Sequence, residues 1–83
     1  MGQRLTTKRE TYKSWPVLSF YKNEEKMFSL GRKKLKYVFD KIPIIANEPR
    51  YQRYTFNKRT FALSGEQVEA ILALREQVSS FVH

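Results

Sequence analysis

The stretch Phe28-Ser29-Leu30-Gly31-Arg32-Lys33-Lys34-Leu35-Lys36-Tyr37-Val38-Phe39-Asp40-Lys41-Ile42 decides the fold, because it reads as a strand that passes into a helix at Gly31. Leu35, Val38, Phe39 and Ile42 have the spacing of one apolar helix face. A second reading makes 34–41 a strand, since Leu35, Tyr37 and Phe39 alternate with Lys36, Val38 and Asp40; the fold is then a four-stranded antiparallel sheet plus one C-terminal helix. The helix is preferred because it begins at a glycine and because the same pattern returns later in the chain. Pro43 lacks an amide hydrogen and disfavours helical geometry at Ile42, so the helix ends or kinks there, with a short turn expected over 43–46.

The recurrence has an offset of 33 residues, which lays Phe28-Ser29-Leu30 on Phe61-Ala62-Leu63, Leu35 on Val68, Val38 on Ile71, Phe39 on Leu72 and Ile45 on Val78. Each copy is a hairpin followed by a helix. Val17–Tyr21 and Lys26–Leu30 flank the polar turn Asn23-Glu24-Glu25, and Tyr51–Phe56 and Thr60–Leu63 flank Asn57-Lys58-Arg59. Both hairpins end in Phe-x-Leu, whose alternation aims two apolar side chains at the core. Ser64-Gly65-Glu66-Gln67 is a capping box, and the stripe Val68, Ile71, Leu72, Val78, Phe81 and Val82 predicts one helix over about 65–81. The expected fold class is α+β: two hairpin-helix (ββα) units, 17–47 and 50–82, whose helices cover one sheet.

Eighty-three residues suffice for one small domain, expected over 15–83. A domain of this size buries only about 60% of its unfolded surface, and a homodimer interface would supplement it. Residues 1–14 are polar, threonine-rich and without apolar periodicity, which predicts a flexible basic N-terminal arm. The net charge is +8, and residues 1–36 hold ten Lys and Arg against three Glu. No cysteine is present and the one histidine is His83, which removes thiolate nucleophiles, disulfides and zinc knuckles. Asp40 is the sole aspartate, and no carboxylate pair has acid/base or metal spacing, so neither an enzyme nor a cofactor or metal is expected. No apolar run approaches the roughly 20 residues of a membrane span, and with no secretory signal the expected location is cytoplasmic or intracellular.

Three segments carry candidate chemistry. Arg32, Lys33 and Lys34 occupy a helix's first turn, where the macrodipole opposes each exposed cation by about 0.3–1 kcal/mol. A phosphate held by the backbone amides near Gly31 would account for them. Arg50, Tyr51 and Arg53 interleave cations with aromatics, as a single strand of nucleic acid requires: rings stack on bases while cations meet phosphates. Lys58 and Arg59 extend that track, whereas Tyr54 and Phe56 fall on the alternate face and are expected in the core. Trp15 is expected to be a buried anchor, since a lone tryptophan is usually well covered, and Tyr12 beside Lys13 is freer to touch a ligand.

From Lys58 to Leu72 the chain resembles the single-strand DNA-binding transcriptional positive-cofactor family, in which a basic strand runs into a capped helix. Lys58-Arg59-Thr60-Phe61-Ala62-Leu63-Ser64-Gly65-Glu66-Gln67, followed by Val68, Ile71 and Leu72, carries the resemblance. It implies a curved antiparallel sheet, a helix-mediated dimer and sequence-tolerant binding of single strands. In the first half, where that family has strands, this sequence reads as a helix after Gly31.

These readings converge on a non-catalytic nucleic-acid-binding protein that favours single-stranded DNA. The alternative is a small protein-interaction module, of the kind a phage or mobile element uses as an accessory or inhibitor, docking its basic face on an acidic partner.

Overall fold

Two-residue turns build the first half of the chain. The computed structural model describes residues 4–41, 52–56 and 58–83, with the backbone alone for Gln52, Arg53, Tyr54 and Phe56. Strands β1 (Leu5–Tyr12), β2 (Trp15–Lys22) and β3 (Glu25–Gly31) form an antiparallel meander in that order. Lys13 and Ser14 join the first pair and Asn23 and Glu24 the second, with φ of 49°, 71°, 52° and 70°. Positive φ at both central residues is what a type I′ hairpin needs, and its twist matches that of the strands.

Within the segment 1–14, expected as a flexible arm, residues 5–12 instead form strand β1. The segment carries no apolar stripe, yet Thr6, Thr7, Thr11 and Tyr12 are strand-formers, and polar contacts take the place of apolar ones. At one end the Arg4 amide donates to Asn23 Oδ1 at 3.0 Å and the Asn23 amide returns a bond to the Arg4 carbonyl at 2.8 Å. Midway, Glu10 accepts from Ser19 and Tyr21 on β2.

Register divides the sheet into two unlike faces. Pairings such as Arg9↔Leu18, Thr7↔Phe20 and Phe20↔Phe28 set Thr7, Arg9, Leu18, Phe20, Phe28 and Leu30 on the inner face. There the Phe20 and Phe28 rings stack at 4.5 Å. Tyr12, Trp15, Glu10, Lys8, Ser19 and Tyr21 lie on the outer face. A bulge opposite Phe20 and Tyr21 inserts Met27 into β3 and so re-aims Lys26 to that outer face.

Helix α1 (Arg32–Lys41) follows β3 directly, so the helical reading of 32–41 holds over the strand. Strands β4 (Gln52–Phe56) and β5 (Arg59–Leu63) form a second antiparallel ribbon that leads into α2 (Gly65–Ala73) and α3 (Arg75–Val82). The class is α+β. The strands divide between a three-stranded and a two-stranded sheet in place of the single expected sheet. β1 occupies one edge of β2, while the β4–β5 ribbon lies against α1 and α2.

Burial agrees at five of the paired repeat positions and differs at Ser29, which is exposed, and Ala62, which is half-buried. Leu30 and Leu63 are buried; Leu35 and Val68, and Val38 and Ile71, are fully buried; Phe28 and Phe61, and Phe39 and Leu72, are half-buried against the same core. Ile45 and the turn at 43–46 lie outside the described residues. The single helix expected over 65–81 is instead two, broken at Leu74 with φ −111° and ψ 30°. No glycine or proline marks the break; α3 turns there to pack on α1, seating Val78, Phe81 and Val82 in the core. Among the described residues no helix is long and apolar enough to cross a membrane.

Candidate nucleic-acid interface

The basic triplet at the start of α1 is split by its surroundings. Arg32 Nε donates to the carbonyl of Phe81 at 3.1 Å, and its guanidinium lies 5.1 Å from the Phe81 ring. Lys34 is half-buried with its ammonium 4.3 Å from the Phe61 ring. Lys33 is exposed, and Lys36, one turn further on, is exposed as well. The exposed cationic stripe is therefore Lys33 and Lys36, with the Arg32 guanidinium at its edge. Lys36 lies outside the contiguous triplet, and its i+3 spacing from Lys33 is the sequence signal that sets the two on one face.

Gly31 ends β3 opposite Val17, and a Cβ built on it meets nothing within 4 Å. The backbone there is open to approach. Lys58, with φ 63°, and Arg59 stand exposed at the tip of the β4–β5 ribbon. Arg50 and Tyr51 lie outside the described residues, and of Arg53 only the backbone, in β4, is described. The side chains of Tyr54 and Phe56, expected in the core, lie outside them too.

Trp15 is not the buried anchor expected of it. It is 70% exposed and its cross-strand partner Tyr12 is 63% exposed. As the first residue of β2, Trp15 falls on the outer face of the sheet, away from the helices. The Lys13 ammonium stands 5.4 Å from the Tyr12 ring.

Behind this tip the outer face is fixed by Glu10. Its carboxylate accepts from the fully buried Ser19 hydroxyl, meets Lys26 Nζ at 3.0 Å and accepts from the Tyr21 hydroxyl at 2.9 Å. Those contacts, that from Ser19 first, lower its pKa to about 2. The carboxylate in turn raises the pKa of Tyr21 and of Lys26. Lys22, at the far end of β2, meets Glu66 in the first turn of α2 at 2.7 Å.

A groove of about 370 Å³ runs between β1 and α3, lined by Thr7, Arg9, Leu18, Glu76, Gln77 and Ser80. Arg9 partly bridges it, donating to Ser80 Oγ at 3.3 Å. Glu76 is the one carboxylate among the residues that line it. Comparison with protein-family models, with characterised proteins and with solved structures finds no match to this chain.

Proposed function

We propose that the protein is a non-catalytic, sequence-tolerant nucleic-acid-binding domain that favours single strands of DNA. One observation carries this reading: among the described residues most of the positive charge has no carboxylate partner. Among the described residues only Lys22 and Lys26 lie within ion-pair distance of a carboxylate, in a chain of net charge +8. Lys33, Lys36, Lys58 and Arg59 remain exposed without such partners among those residues. Phosphate neutralisation with release of condensed counterions is the sequence-independent source of nucleic-acid affinity, and it needs such unpaired cations. The basic strand β5 running into the capped α2 adds support through its resemblance to the single-strand-binding cofactor family.

Fluorescence anisotropy of labelled single- and double-stranded oligonucleotides, at salt concentrations of about 50 and 200 mM, tests the reading. Binding that weakens steeply with salt and is tighter for single strands supports it. No binding at the lower salt would remove nucleic acid as the partner and leave an acidic protein surface as the alternative.

A further inference from the structure

The tip of the β1–β2 hairpin presents two large rings to solvent. Tyr12 and Trp15 are the exposed large hydrophobic residues among those described, and they are direct cross-strand partners on one face. We infer that Tyr12 and Trp15 form the base-stacking platform of a single-stranded nucleic-acid site. This deepens the proposed function and rests on it.

Three features of the tip favour that ligand. The backbone that carries the rings is set before any ligand arrives: a two-residue turn and a ladder of eight paired positions fix β1 against β2. Opposed residues in such a ladder have Cβ atoms about 5 Å apart, so the two rings rise side by side from one face of the hairpin end. Aromatic faces stack on any base, which gives affinity without sequence preference.

The second feature is charge. Lys13 stands over Tyr12, and exposed Lys8 lies on the same face. The carboxylate on that face, Glu10, is already committed to Ser19, Tyr21 and Lys26, so it offers little repulsion to a phosphate. A docking patch for an acidic peptide would share the cations, but two large exposed rings beside them are what base stacking adds to phosphate contact.

The third feature is position. Gly31 pairs with Val17, two residues from Trp15, so α1 begins at the same end of the sheet as the rings. A Cβ built on Gly31, where β3 passes into α1, would meet nothing within 4 Å, so the surface at that junction is open. A strand stacked on the tip can thus meet the Lys33 end of the cationic stripe.

Trp15 is the sole tryptophan, so intrinsic emission reports on this ring alone. The full chain is titrated with a labelled oligodeoxythymidine at about 50 mM salt, with anisotropy and tryptophan emission followed together. The expected result is quenching that tracks the anisotropy. Trp15→Ala and Tyr12→Ala should each weaken single-strand binding roughly 5- to 100-fold and spare duplex binding, with Trp15→Phe retaining most of the affinity. Both side chains are exposed, so far-UV circular dichroism of the variants should match the parent. Rising anisotropy with unchanged emission, and alanine variants that bind like the parent, would overturn the platform and leave nucleic-acid binding standing. Absence of any anisotropy change would overturn both. Quenching by polyglutamate with none by the oligonucleotide would assign the tip to an acidic protein partner and overturn the platform.

Discussion

Arg32 joins the first turn of α1 to the last turn of α3: its Nε donates to the Phe81 carbonyl at 3.1 Å and its guanidinium stands 5.1 Å from the Phe81 ring. Arg9, at 5.6 Å, also approaches that ring. A cation placed on the terminal carbonyls of α3 meets the negative end of that helix, which offsets its unfavourable place at the positive end of α1. The first-turn arginine thus has a structural reason to be there. Arg32→Ala is expected to destabilise the fold by about 1–2 kcal/mol, from one hydrogen bond and one cation–π contact. Arg32→Lys should restore little, because an ammonium lacks the planar fork. Urea denaturation checks both, with Lys33→Ala as the control expected to stay within about 0.5 kcal/mol of the parent.

Acid should loosen the outer sheet face within a defined window. Glu10 titrates near 2 in the folded protein against an ordinary value of 4.5, so its stabilising effect is fully present above about 4.5 and is lost as pH falls toward 2. Glu10→Gln should flatten stability against pH across that window, measured as the thermal midpoint at pH 2 to 6. At the alkaline end the sign reverses. Tyr21 and Lys26, raised from 10.0 and 10.5 by the same carboxylate, add stability below those values that disappears as pH climbs past their folded pKa values.

The capping box at Ser64 offers a local test. Ser64 Oγ accepts from the Gln67 amide at 3.2 Å, and Gln67 Oε1 accepts from the Ser64 amide at 2.9 Å. Ser64→Ala should cost about 1 kcal/mol and Ser64→Gly only a few tenths, read from denaturant midpoints.

Glu24 holds φ at 70°, a conformation that strains a residue with a Cβ. Glu24→Gly turns the loop into Asn-Gly, the preferred pair for this hairpin, and should stabilise by about 1 kcal/mol. A lower thermal midpoint for this variant would contradict the turn assignment.

Much of the fold is legible locally. The capping box, the Phe-x-Leu strand ends and Leu35, Val38 and Phe39 of the α1 stripe depend on neighbours a few residues away and form as their patterns imply, while the turn expected over Asn23-Glu24-Glu25 closes at Asn23 and Glu24, with Glu25 opening β3. What the sequence hides depends on distant partners. β1 carries no apolar alternation, since it is held by Glu10 and Asn23 contacts that exist only once β2 is paired. Trp15 points outward because of a register that its own residue type cannot reveal. The break at Leu74 arises from α3 packing on α1, with no local breaker.

The candidate site divides the same way. Arg32, Lys33 and Lys34 follow Gly31 as a contiguous run in which local sequence does not distinguish one cation from the next. A contact across 49 residues takes Arg32 to Phe81, Lys34 lies over Phe61, and Lys33 is left to share its exposed face with Lys36.

The measurement closest to the central claim is the salt dependence of single-strand affinity for the parent and for Lys33→Ala with Lys36→Ala, by anisotropy between about 50 and 200 mM salt. If the unpaired stripe holds phosphates, the double variant binds all sequences more weakly and its log–log salt slope is shallower by about 1.4, two contacts at the single-strand value of about 0.7 each. An unchanged slope, or a parent protein that fails to bind at the lower salt, would contradict it.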